Sequence, residues 1–290
     1  MPRERALSLD GPIWRGLARR GSQGPEWFVR LSAPLVGIAA CAVSGDRRRH
    51  VLDALRRARG RRGALRDTMD VARVFATYAS CLAETLGAGP ARGRAPRAVI
   101  WGEPHLHDAL GDRRGVILVT AHTAGWETVG PLLSRDKSLR VMLAVSAERD
   151  TGARAIQDGA RGEHGLLVTH VGDDPLSALP LARHLREGGA VALQIDRAPS
   201  GLRSRAVTLF GVPSRVPEGP LRLAMLTGAP IVPVFAARTG HRSYRIEVHA
   251  PLRLGRSVGA AELDAAAQAL ADDMQGFLRT HPTQWFHFRA

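Results

Sequence analysis

The chain has 290 residues, 44% hydrophobic and 23% charged, with a formal net charge of +14. That size and composition allow a full hydrophobic core in one large domain and exclude global disorder. The charge points to a phosphate-bearing partner, but Lys137 is the only lysine and asparagine is absent, a compositional skew that takes functional meaning from part of the arginine excess.

Residues 1–25 read as a loosely ordered N-terminal segment. They start Met-Pro-Arg-Glu-Arg and lack the apolar h-region of a signal peptide, so export is not expected. Cys41 and Cys81 are too few to staple a domain and have no metal spacing, which fits a reducing cytosol.

Residues 26–96 read as a helical annex able to associate with a membrane. Its apolar run, Leu31 to Val43, is shorter than the roughly 20 residues a membrane-spanning helix needs. Two readings stay open: a buried core helix, or an interfacial segment with Trp14, Trp27 and Phe28 at headgroup depth. Arg47, Arg48, Arg49, Arg56, Arg57, Arg59, Arg61, Arg62 and Arg66 then crowd against Asp46 and Asp53, a basic face that suits anionic lipid. Helical periodicity over 45–87 breaks at Gly60 to Gly63, predicting two helices. A Gly/Pro/Arg connector over 87–96 closes the annex.

Over 97–290 the pattern alternates. Apolar runs at Gly115–Ala121, Leu139–Val145, Ala190–Ile195 and Pro230–Ala236 have the length of buried strands. Segments near 125–135, 150–162, 175–187 and 217–228 have the length and amphipathicity of helices. Tyr244–Ala250 alternates like a more exposed strand, and a last helix near 260–280 leads into the tail. The expected fold class is α/β, a mostly parallel central sheet flanked by helices, with the N-terminal helical annex in front.

His122 falls just past the carboxyl end of the first buried strand, where open α/β sheets bind ligands. Glu127 follows five positions later, across a strand-to-helix turn that lets its carboxylate fold back onto the imidazole. A hydroxyl is a poor nucleophile at neutral pH, and a neutral imidazole can take its proton as it attacks an acyl carbonyl. Glu127 would fix the tautomer. The spacing alone is weak, because His-x4-Glu recurs by chance. His105, His107 and Asp108 lack a second ligand cluster and HExxH is absent, so they read as a surface loop and no metal site is expected. GxSxG, Walker and GxGxxG motifs are also missing.

The block His122-Thr123-Ala124-Gly125-Trp126-Glu127 resembles the His-x-Gly-Asn-Trp-Glu block of the late acyltransferases of lipid A biosynthesis and their lysophospholipid and phosphatidylinositol-mannoside relatives. Ala124 and Gly125 depart from the usual form. Further blocks match in order over about 45–290: Arg161 to Gly165, Gln194-Ile195-Asp196-Arg197, Leu209-Phe210-Gly211, Glu218-Gly219-Pro220 with Thr227 to Phe235, and Pro282 to Phe286.

The resemblance implies transfer of a fatty acyl group from an acyl carrier protein or coenzyme A thioester to a lipid or glycolipid hydroxyl, at the cytoplasmic face of the inner membrane. His122 and Glu127 would be catalytic. Arg161 is a candidate phosphate ligand, or else a solvated helix-end arginine. Asp196 would hold Arg161, Arg197 or an acceptor hydroxyl, or else form a turn. Glu218 is a substrate-binding candidate that helix capping alone would also explain. Trp126, Phe210 and Phe235 are candidates for an acyl groove, with core the default for Phe235. Gly211, Gly219 and Gly228 serve turns and helix ends.

The thioester drives the transfer, so no cofactor is expected. The donors for an oxyanion are not identifiable from sequence. A non-catalytic lipid-binding protein keeping the fold is the alternative, motivated by Ala124-Gly125. Nucleic acid is not an expected partner, because the arginine run lacks interleaved aromatics for base stacking.

Overall fold

The computed structural model describes residues 18–87, 96–126, 139–146, 158–159, 162, 165–172, 175–198 and 201–288. The annex is three helices: α1 (Glu26–Val43), α2 (Gly45–Arg59) and α3 (Ala64–Gly87). Helix α1 is longer than its apolar run predicts, because Trp27 and Phe28 belong to it. Val29, Gly37 and Cys41 form its buried stripe, spaced in multiples of four as one helix face requires. At Gly37 a Cβ would stand 2.4 Å from the carbonyl oxygen of Phe75, so glycine lets α1 lie directly on α3.

The rest of α1 faces outward: Trp27 is 66% exposed, and Phe28, Leu31, Leu35, Val36, Ile38 and Val43 are exposed with it. Among the described residues α1 is the one helix long and apolar enough to cross a membrane by length and composition. The core-helix reading therefore fits only its inner stripe. Trp14 lies outside the described residues.

Part of the arginine run is structural. Arg48 Nη1 donates to the Cys41 carbonyl at 2.7 Å, reinforcing the longer 3.4 Å bond from the Ser44 N–H at the end of α1. Arg56 and Arg59 each hold the buried Asp67 at 3.0 Å, and Arg59 also reaches Asp70, which locks the turn between α2 and α3.

A seven-stranded sheet follows, in the order β1-β9-β8-β2-β5-β3-β4. The strands are β1 (Arg97–Trp101), β2 (Val116–Thr120), β3 (Val141–Ser146), β4 (Leu167–Val171), β5 (Ala190–Gln194), β8 (Ile231–Gly240) and β9 (Ser243–Val248). From β8 to β4 all neighbours pair parallel; β9 turns back antiparallel on β8, and β1 pairs parallel with β9. The α/β reading with a mostly parallel sheet thus holds.

Strand β2 is buried throughout. Its Ile117 and Val119 enter one core with helices α6 (Gly219–Thr227) and α7 (Ala260–Thr280), while Val116 and Leu118 enter a second core on the other face. This is the period-two alternation of a central strand covered on both sides.

The predicted helix near 175–187 is a short 3-10 turn plus α5 (Leu179–Arg186). Those near 125–135 and 150–162 lie mostly outside the described residues. Strands β1 and β4 have no counterpart among the predicted strands, and two further stretches differ from expectation. The His105–Asp108 stretch is helical, in α4 (Glu103–Gly111), not a loop, and Asp108 pairs there with Arg253 at 3.0 Å. Residues 204–217 form a hairpin of β6 (Ser204–Leu209) and β7 (Val212–Pro217). Its turn places Phe210 and Gly211 at φ 53° and 76°, the paired positive angles of a tight hairpin.

Candidate active site

Strands β2 and β5 pair in a constant register, Val116 with Ala190 through Thr120 with Gln194. Continued by one more step on the same face, that register sets His122 beside Asp196. The contact is made: His122 Nδ1 lies 2.7 Å from Asp196 Oδ1, and the His122 backbone N–H donates to the same oxygen at 3.2 Å. Asp196 is sealed, with a 0% exposed side chain, whereas the His122 side chain is 30% exposed. Burial works against the ionised carboxyl, but His122, Arg197 and the Trp285 indole outweigh it and hold Asp196 below the usual carboxylate range. An ionised Asp196 requires Nδ1 to carry a proton, which leaves Nε2 as the basic nitrogen.

The C-terminal tail braces this pair. Trp285 Nε1–H donates to the second Asp196 oxygen at 3.0 Å. Phe286 N–H donates to the His122 carbonyl at 2.7 Å, and Ala124 N–H to the Gln284 carbonyl at 2.9 Å. Arg197 donates to the Phe286 carbonyl and stands 3.8 Å from Asp196. Gln284 is itself held, because its side-chain amide spans the backbone N–H and C=O of Arg238 at 2.6 and 3.0 Å. The Pro-x-Gln-Trp block noted in the sequence therefore has a physical role that the sequence alone did not reveal. The His287 ring lies 4.6 Å from that of Trp285, tilted by 47°, and burial, together with Arg197, pushes its pKa down to about 4.

Beneath the turn lies a second polar knot. Glu84 of α3 accepts from Arg238 at 2.6 Å and from the Tyr244 hydroxyl, with His241 at 3.3 Å. The Tyr244 ring fills the space a side chain at 125 would need: a Cβ on Gly125 would stand 2.3 Å from it, and Gly125 sits at φ +89°. The departure at Ala124-Gly125 is thus a packing solution, with Tyr244 occupying the place of a side chain. Burial pushes the nearby Cys81 thiol up to about 12, so it stays protonated and inert.

Trp126 lies 6.2 Å from the His122 ring, centroid to centroid. With Leu118, Thr120, Val141, Leu143, Ala192, Gln194 and Val234 it lines a cleft on the sheet face, and His122 and Asp196 follow Thr120 and Gln194 by two residues along β2 and β5. The structure thus brings His122, Asp196 and Trp126 together. Asp196 does not act as a free turn residue.

Glu218 goes elsewhere: it bonds Arg205 at 3.0 Å and Arg222 at 2.7 Å, tying the β6–β7 hairpin to α6, and makes no side-chain cap bond. Phe235 is buried and stacks on Phe277, a core residue, while Phe210 packs against Trp285. Gly228 is the left-handed C-cap of α6. Glu127 and Arg161 lie outside the described residues. Among the described residues no cluster of His, Cys, Asp or Glu could hold a metal ion.

The fold is that of an α/β protein with a strand-end imidazole oriented by a sealed carboxylate, an arrangement chemically able to take up a proton from a hydroxyl. The chain belongs to the bacterial lipid A biosynthesis acyltransferase family, whose profile matches residues 23–290. It is similar to the phosphatidylinositol mannoside acyltransferase of Mycobacterium tuberculosis (strain ATCC 25618 / H37Rv), 26% identical over 189 residues, covering 64% of this chain and 57% of that protein. The enzyme of the same name from Mycolicibacterium smegmatis (strain ATCC 700084 / mc(2)155) is 27% identical over 183 residues, 62% of this chain and 58% of that protein. The matches thus span under three-fifths of the relatives' length.

Proposed function

We propose that the chain is an O-acyltransferase that moves a fatty acyl group from an acyl carrier protein or coenzyme A thioester to a hydroxyl of a lipid or glycolipid. The observation that carries this is the sealed Asp196 on His122 Nδ1, which leaves Nε2 to take the hydroxyl proton. The acceptor oxygen then attacks the thioester carbonyl, and the imidazolium returns its proton to the departing thiol. Asp196 does for His122 what the motif assigned to Glu127, holding the tautomer and stabilising the cation. Glu127 remains a candidate second carboxylate, and Arg161 a candidate ligand for a donor or acceptor phosphate. The apolar lining of the cleft from Trp126 to Val234 matches a hydrocarbon chain in chemistry.

The acceptor class also follows the relatives, which act as phosphatidylinositol mannoside acyltransferases by name. The site of action is the cytoplasmic face of the inner membrane. The outward face of α1, with Leu65 and Met69 of α3, offers exposed apolar side chains to the interface, and the exposed arginines of α2 meet anionic headgroups. Both arginines spent on Asp67 weaken a nucleic-acid reading. Incubating the protein with acyl donors and candidate lipid acceptors, with products read by mass spectrometry, tests the proposal. Acylated product from wild type and none from His122→Ala is the expected result; equal product from both overturns the assignment of His122.

A further inference from the structure

Two buried polar groups in the cleft have no hydrogen-bond partner among the described residues. Thr120 is 8% exposed, and both its hydroxyl oxygen and the Gln194 side-chain nitrogen are buried without a hydrogen bond. An unpaired buried donor is costly, about 1–3 kcal/mol each, and native proteins rarely tolerate two side by side without reason. These two are directly opposed in the β2–β5 register and both line the cleft. They lie one register step, about 6–7 Å along the strands, inward of His122 and Asp196.

Read along the strands, the cleft has an order. His122 and Asp196 come first, Thr120 and Gln194 stand one step before them in the chain with Val234 at their level, and Leu118, Ala192 and Leu143 lie one step further on. An acyl thioester has the same order: a carbon to be attacked, a carbonyl oxygen beside it, and hydrocarbon beyond. Both protein groups can donate, the amide through N–H and the threonine through O–H, so two donors are available for one oxygen in a site walled by apolar side chains.

We infer that Thr120 Oγ1 and Gln194 Nε2 bind the carbonyl oxygen of the acyl donor and hold it as an oxyanion, making both catalytic residues. The inference rests on the acyl-transfer reading above. As the acceptor oxygen bonds to the carbonyl carbon, its proton passes to His122 Nε2. The carbonyl π pair moves onto the oxygen, where the two donors stabilise it. Collapse restores the C=O bond and breaks the C–S bond, and the sulfur leaves with the proton from the imidazolium. Donors aimed at developing charge in a water-poor site are among the larger catalytic contributions, roughly 10²–10³-fold for one such donor.

Thr120→Val and Gln194→Leu remove the donors at nearly constant shape. Each is expected to lower kcat about 10- to 100-fold with the donor KM within about 3-fold, while the melting temperature stays level or rises because an unsatisfied buried group is gone. A purely structural role cannot produce a slower enzyme that is more stable. The second measurement needs no turnover: binding of a coenzyme A S-(2-oxoalkyl) analogue, which keeps a carbonyl, against the S-alkyl thioether, which lacks one. Wild type is expected to favour the ketone by about 10-fold and the double variant to bind both alike. Equal binding, or none, of both analogues to wild type overturns the inference, as does unchanged kcat in both variants. His122→Ala run beside them separates the failures: if it stays active, the base assignment falls, whereas inactive His122→Ala with unaffected Thr120→Val and Gln194→Leu condemns only the oxyanion site.

Discussion

Asp196 and Glu84 are both carboxylates sealed inside the protein, and they do opposite things. Glu84 is saturated by Arg238, Tyr244 and His241, so its charge is spent on joining the annex to the sheet. Asp196 is held by Trp285 and faces an imidazole whose side chain still reaches solvent. Burial and close hydrogen-bonding partners are common to both and do not mark a catalytic group. What marks one is a partner with a valence left over for substrate.

The largest expected effects test that difference directly. His122→Ala should lower kcat/KM by about 10²–10⁴-fold, roughly 3–5 kcal/mol of activation free energy, with urea unfolding within about 1 kcal/mol of wild type. Glu84→Ala should do the reverse: about 3–5 kcal/mol of stability lost, because Arg238 is left buried and unpaired, with kcat per folded molecule within a few-fold. A Glu84→Ala protein that folds normally but is dead would erase the contrast between the two carboxylates.

Asp196→Asn should cost about 10²–10³-fold in kcat, since an amide lets the wrong tautomer form; its KM is expected to stay near wild type in the same assay. Gly125→Ala should lose about 2–3 kcal/mol of stability in thermal melts, from the positive φ and the Tyr244 ring. Pairing it with Tyr244→Ala should recover the part due to the ring.

The smallest effect concerns pH. His287 has its pKa lowered from 6.5 to about 4, so folding favours its neutral form. Its stabilising contribution is complete above pH 6.5 and is lost as pH falls from there toward 4, at up to about 1.4 kcal/mol per pH unit. His287→Phe should flatten that slope in urea titrations between pH 7 and 4.5. Asp196 is also depressed, so its own contribution persists through this window and disappears only below the ordinary carboxylate range.

Much of the frame was legible in the sequence. The long apolar runs at β2, β5 and β8 and the glycine break between α2 and α3 are local patterns, and local backbone preference together with burial sets them. The short strand β1 and the helix α4 were not legible: β1 alternates exposed and half-buried residues, and α4 starts at a glycine and carries two histidines. Their conformation depends on packing against β9 and Arg253, partners far along the chain.

The same divide runs through the site. Sequence by itself determined that a histidine ends a buried strand, that an aspartate ends another, and that a tryptophan sits near the carboxyl terminus. Only the tertiary structure decided that these three meet. The meeting depends on the register of β2 against β5 and on where the tail lies. A strand's own residues determine which side chains share a face, but not which residue of another strand stands opposite. Thr120 and Gln194 show this most plainly: each is an ordinary polar residue in an apolar run, and only their opposition across the cleft, beside His122, gives them chemistry to do.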